Sequence, residues 1–175
     1  MGKSTVIKNQ FIFGWIFTLI TGTLLHFVFE WSGNNKWVSL FAPINESTWE
    51  HLKLLFFPIL VFLLFQILFL KRQNIRVLNL MIATATSALS GMLFIVVSFY
   101  TYSGVLGYHV TWIDILIFAL AVTFSYYQNY NLCNRYSVPN FTTTILGVAL
   151  LLIITLLFFW FTFSPPPIAL FQPPI

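Results

Sequence analysis

The residues of this chain that could do chemistry are few, four acids and three histidines, and they fall into three groups. His26 and Glu30 stand at i,i+4, a spacing that puts both side chains on one helix face and suits paired metal ligands. Glu46, Glu50 and His51 crowd one short segment with Lys53, and His109 lies five residues before Asp114. Imidazoles and carboxylates together form the donor set of a divalent ion such as Zn²⁺, which activates water for hydrolysis. The candidate metal ligands are therefore His26, Glu30, Glu46 and His51. The candidate catalytic groups are His26, Glu30, Glu50 and Asp114, and Lys53 and His109 complete the polar cluster. No H-E-x-x-H and no nucleophile elbow accompanies them, so spacing alone names no reaction.

Part of the densest segment has a purely structural reading. Ser47-Thr48-Trp49-Glu50 is a capping box, in which Ser47 receives the Glu50 amide and the Glu50 carboxylate reaches back to the Ser47 amide. Glu50 and Lys53 form an i,i+3 pair, worth a few tenths of a kcal/mol when exposed. Capping leaves Glu46 and His51 unexplained. Asn45-Glu46-Ser47 and Asn140-Phe141-Thr142 match the glycosylation sequon but lie on opposite sides of the topology below, so both are discounted.

The elements that position these residues follow from composition. A chain that is 59% apolar and 7% charged cannot cover a water-facing surface, and the bilayer must be its solvent. Five runs, about 11–29, 52–70, 77–100, 110–127 and 142–163, are long enough to cross a hydrocarbon core of roughly 30 Å. Segments such as 54–65 are apolar on all sides, which argues against barrel strands and for an all-α fold. The first run is too long for a signal-peptide core and has no cleavage site after it. No connection is long enough to fold alone, so residues 1–175 read as a single membrane domain ending in a Pro-rich tail, 164–175. No internal repeat is visible.

Orientation comes from the basic residues. Lys3, Lys8, Lys71, Arg72, Arg76 and Arg135 share one side against Lys36 and Lys53 on the other, which puts the N-terminus inside and the C-terminus outside. Trp31, Trp37, Trp49, Tyr100, Tyr102, Tyr108, Trp112 and Trp160 mark the outer boundary, and Tyr126, Tyr127, Tyr130 and Tyr136 the inner one. Every acid and every histidine then falls in the outer half, although none of them entered the orientation argument. Ionisable groups at membrane depth are functional candidates by default, and His26, Glu30, Glu46, Glu50, His51 and Asp114 are expected to converge in one outer-leaflet cavity. Asp114 must be protonated, paired with His26 or Lys53, or metal-bound. The single Cys133 is expected in the inner loop, without a disulfide partner.

Small residues predict the packing. Ala83, Ser87 and Gly91 at spacing four place the third helix in the middle of the bundle, and Gly14, Thr18 and Gly22 form a ridge that continues to His26 and Glu30. Asp114 shares a face with Ala121 and Ser125. Pro58 should bend the second helix. The Phe-rich runs are expected to face lipid. The tail should run extended after Ser164, with Ile168, Leu170 and Phe171 lying on some surface.

The segment Ala42-Pro43-Ile44-Asn45-Glu46-Ser47-Thr48-Trp49-Glu50-His51-Leu52-Lys53 resembles the S-P-V-N-E-S-x-W-E-H-x-K signature of an uncharacterised family of small prokaryotic multi-pass membrane proteins, a domain of unknown function. Ile113-Asp114-Ile115 and the Pro-rich end with Leu170-Phe171 are similar as well. Ala42 stands where the family usually has Ser, and the chain stops at Ile175 where a further Asp- and Gly-containing stretch is expected. The resemblance implies a prokaryotic cytoplasmic membrane and no activity.

Three functions compete for the outer cluster. One is a structural or partner-binding network locking the first, second and fourth helices. Another is a membrane-embedded, metal-dependent hydrolase acting on a lipid-like substrate, with a lipid-like or small-molecule ligand at the outer leaflet. The third is a proton- or ion-coupled transporter, for which Gln66, Asn79, Thr84 and Ser125 would extend a neutral path. The expected partner is the lipid bilayer. Nucleic acid is excluded, because the net charge of +4 is used by the inside-positive topology.

Overall fold

Long apolar runs with few helix breakers become helices, and a computed structural model of the chain describes residues 3–75, 77, 79–135 and 141–174. Five α-helices follow one another: α1 (Lys3–Trp31), α2 (Thr48–Arg72), α3 (Leu80–Leu106), α4 (Thr111–Arg135) and α5 (Phe141–Phe163). Each is long and apolar enough to cross a membrane, and no strand occurs among the described residues. The protein is an all-helical, multi-pass membrane protein. Two short 3₁₀ turns, Val38–Leu40 and Ala169–Phe171, sit in the α1–α2 connection and in the tail. Arg76, Tyr136 and Asn140 lie outside the described residues.

Most helices outrun the hydrophobic stretches that predict them, because interfacial residues continue the backbone hydrogen bonding. Cys133 is thereby corrected from loop to helix: it is buried near the end of α4, and its thiol donates to Asn129 Oδ1 at 3.4 Å. α3 starts later than predicted, after Asn79 in the left-handed region (φ 59°), and ends at Gly107 (φ 80°), a position that favours glycine. α2 passes through Pro58 without a break in the helix.

α3 packs against α2, α4 and α5, and α2 against α1, α3 and α5. Small residues make the contacts. A Cβ on Gly22 would meet the Leu54 carbonyl of α2, one on Gly91 the Ser125 hydroxyl of α4, and one on Gly147 the backbone of Met81 and Ile82 in α3. Thr18 and Tyr126 share a hydrogen bond of 2.9 Å between α1 and α4.

The polar residues of the other half of the bundle also serve packing. Asn129 donates to Thr84 Oγ1 at 3.1 Å, joining α4 to α3, and Thr143 donates to Asn79 Oδ1 at 2.8 Å. α2 is more enclosed than α3, and the expectation that the Phe-rich runs face outward is corrected in part: Phe13, Phe65, Phe69 and Phe163 are exposed, but others are not. Phe56, Phe57, Phe62 and Phe158 are buried, because α2 has helices on several sides.

Candidate functional site

The α1–α2 connection and the start of α2 build the site, and the motif divides there into two halves with different neighbours. Asn45 accepts the Ser47 amide at 2.9 Å, and Ser47 caps α2 by accepting the Glu50 amide at 3.4 Å. Glu50 does not reach back to Ser47, so only half of the capping box forms. Its carboxylate accepts the Ile44 amide at 3.0 Å and Lys53 Nζ at 2.7 Å. Lys53 is fully buried rather than a surface partner. Its three donors go to Glu50, to the Ser39 carbonyl at 2.8 Å and to Thr162 Oγ1 of α5 at 2.7 Å, and Thr162 donates to the Phe158 carbonyl. This half ties the loop, α2 and α5 together. Ala42 is buried within it, its carbonyl 3.5 Å from Lys53 Nζ.

The other half faces α1. His51 lies one position beyond Glu50, about 100° around the helix. Its Nδ1 is 3.0 Å from the Ser47 carbonyl, which can only accept, so Nδ1 carries the proton. Nε2 is thereby turned to Glu46 Oε2 at 3.3 Å, and His26 Nε2 stands 4.0 Å from Glu46 Oε1. The two imidazoles are 5.2 Å apart at their centroids. One donor atom from each of His26, Glu46 and His51 lies within 4.8 Å of the others. The hydrogen bond with His51, then the charges of His51, His26 and His109, hold the Glu46 carboxyl below the usual carboxylate range against the opposing effect of burial.

Beside this trio is a cavity of about 310 Å³ lined by Glu46, Thr48 and His51 on the polar side, with His109 and Asp114 also on its wall. Leu54, Ile95, Phe99, Ile117 and Phe118 form its apolar part, and Pro173 and Pro174 of the tail close in on it. Of the three states the sequence allows Asp114, protonated, paired with His26 or Lys53, or metal-bound, the pairing is not with those two residues but with groups nearer its own end of α4. Its Oδ2 is 3.2 Å from His109 Nδ1, and its Oδ1 accepts the hydroxyl of Tyr102.

Of the six residues expected in one cavity, Glu46, His51 and Asp114 line it, and His26 approaches Glu46 from α1 without reaching the lining. Glu50 is turned away to Lys53. Glu30 is exposed and belongs neither to the lining nor to the trio, because the α1 ridge is covered by α2 only as far as His26. Sequence reasoning missed three contributors. Tyr102 reads as a boundary anchor but holds Asp114. Thr162 is the one polar residue in the last turns of α5, between Phe161 and Phe163, a signal available in the sequence. Trp49 is no lipid anchor, since its ring packs on Phe158, Phe161 and Phe171 at 4.8, 5.5 and 4.9 Å. The tail is thus not fully extended: it turns at Ala169–Phe171 to seat Phe171 on Trp49, which brings the two prolines to the cavity.

A family profile described as a family of unknown function, DUF6512, matches residues 2–175. The chain belongs to DUF6512. No curated protein and no solved structure matches it. For this DUF6512 member the site must therefore be read from its own geometry.

Proposed function

We propose that this protein is a metal-dependent hydrolase embedded in a prokaryotic cytoplasmic membrane, as one domain with its N-terminus inside and the site in the outer leaflet. The observation that carries this reading is the facing of His51 Nε2 and Glu46. With one proton fixed on Nδ1 by the Ser47 carbonyl, His51 turns Nε2 toward a carboxylate oxygen 3.3 Å away, where it shares a second proton with Glu46 when charged and offers a lone pair when neutral. A proton joins the pair in the charged form, and in the neutral form the two acceptors repel unless a cation takes the proton's place. His26 adds a third donor to the same carboxylate, so one cation can satisfy all three.

Two imidazoles and one carboxylate are the donor set of hydrolytic zinc sites, which keep a fourth position for water. Tetrahedral bonds of about 2.0–2.2 Å hold donors roughly 3.4 Å apart, so the trio needs to close by about an ångström. The Nδ1–Ser47 hydrogen bond supplies the support such a ligand requires. Glu46 and His51 border a cavity with a polar and an apolar side, into which a bound ion would present its open position. That shape fits an amphiphile whose head, an ester or similar group, meets the metal while its chain lies against Phe99, Ile117 and Phe118.

A stable-network reading draws its strongest support from Glu50, Lys53 and Thr162, and these lie outside the trio. The test is metal content. Protein purified without chelator and titrated with Zn²⁺ should hold one ion per chain, and His51→Ala and Glu46→Gln should lose it while staying folded. A wild type that binds no divalent ion rejects the proposal.

A further inference from the structure

We infer that His109 is the proton acceptor of this cavity, presenting an unprotonated Nε2 because a relay of three groups fixes its tautomer. The inference rests on the hydrolase reading and adds to it a residue that does not ligate the metal.

The relay starts at the backbone. The Val110 N–H donates to the Tyr102 hydroxyl oxygen at 3.1 Å, so the hydroxyl proton itself is sent to Asp114 Oδ1. Asp114 is held in the first turn of α4, where its amide bonds the Val110 carbonyl and the helix dipole favours a carboxylate. Its second oxygen faces His109 Nδ1 at 3.2 Å and can only accept, so in the neutral imidazole the proton sits on Nδ1 and Nε2 keeps its lone pair. His109 and Asp114 both line the cavity with His51 and Glu46, and its lip gives the imidazole access to water. In ester hydrolysis Nε2 takes a proton from the attacking water as the water oxygen bonds to the carbonyl carbon. The same proton then goes to the leaving alkoxide as the C–O bond breaks, so ester and water become acid and alcohol. His109 is the catalytic residue here, and Asp114 and Tyr102 are positioning residues.

The geometry makes a specific prediction about Asp114→Asn. Its amide oxygen must take the Tyr102 proton, which turns the amide nitrogen toward His109. That nitrogen donates to Nδ1, and the imidazole proton moves to Nε2. Adding Tyr102→Phe removes the constraint, the amide is free to rotate, and the original tautomer returns. A merely structural Asp114 gives no such rescue.

The experiment uses the full chain in lipid nanodiscs with ¹⁵N-labelled histidine at pH 8.5, above the ordinary histidine range of about 6.5. The three histidines are assigned with His109→Gln. The expected result is Nδ1–H at His109 in the wild type, Nε2–H in Asp114→Asn, and recovery of Nδ1–H in the double variant. The rate at which diethyl pyrocarbonate modifies His109 should follow the same order, falling several-fold in Asp114→Asn and recovering with Tyr102→Phe. Nε2–H in the wild type, or no change of tautomer in Asp114→Asn, overturns the inference. So does loss of Zn²⁺ in His109→Gln, which would make His109 a ligand. Failure of the metal reading shows separately, as a wild type that takes up no Zn²⁺ whatever its tautomers.

Discussion

At Lys53 the chain places a full positive charge where no water reaches it, and every donor of the ammonium has a partner on a different element. Removing one member of a buried, hydrogen-bonded pair leaves the other uncompensated, at a cost of roughly 3–5 kcal/mol. Lys53→Met should lower stability by about that amount in unfolding titrations, and combining it with Glu50→Gln should recover part of the loss. Glu46 behaves differently, because its side chain is 68% exposed and its effect is weakened by solvent. Its folded-state carboxyl ionises more readily than the ordinary value of 4.5. The ionised form therefore adds a small stability above about pH 4.5, which disappears as acid protonates the folded state. In metal-free protein, the melting temperature of wild type should fall more than that of Glu46→Gln between pH 6 and pH 3. At this scale the sequence showed which residues matter but not how they divide. Glu50, His51 and Lys53 read as one cluster in the linear motif. Their neighbours, α5 for Lys53 and α1 for His51, are decided by helix packing, which no local spacing encodes.

Among elements, legibility depended on how far the hydrophobic signal reaches. The five helices were readable because an apolar run near 20 residues has few alternatives in a bilayer. Their ends were not, since Thr48, Tyr102 and Cys133 continue helices beyond the apolar stretch with polar or interfacial side chains. Small residues were informative where backbones meet. A Cβ on Gly147 would press on the backbone of Met81 and Ile82, which cannot rotate away as a side chain can. Gly147→Ala should therefore cost on the order of 1–3 kcal/mol through overpacking. Gly104, whose Cβ would meet nothing, should tolerate the same change, and paired unfolding measurements of the two variants check this. The turn in the tail was not legible, because it depends on Trp49 meeting Phe171 from the other end of the chain.

For the whole molecule, the site has meaning only if its end of the bundle faces the side where the substrate is. Five helices put the termini at opposite ends, so a single orientation decides both. Among the described residues Lys3, Lys8, Lys71, Arg72 and Arg135 lie on helices or at helix ends away from the motif, and such residues resist translocation, which argues that the motif end is exported. The tail that supplies Pro173 and Pro174 to the cavity would then also lie outside. Labelling of intact cells with a membrane-impermeant maleimide tests this directly, using single cysteines on a Cys133→Ser background. Ser164→Cys, exposed just after α5, should label before lysis, and Gln73→Cys, exposed just after α2, only after it. The reverse pattern would put the cavity in the inner leaflet and make a cytoplasmic amphiphile the substrate to look for. The proposed metal site and the proposed role of His109 do not depend on orientation, so their tests stand under either result.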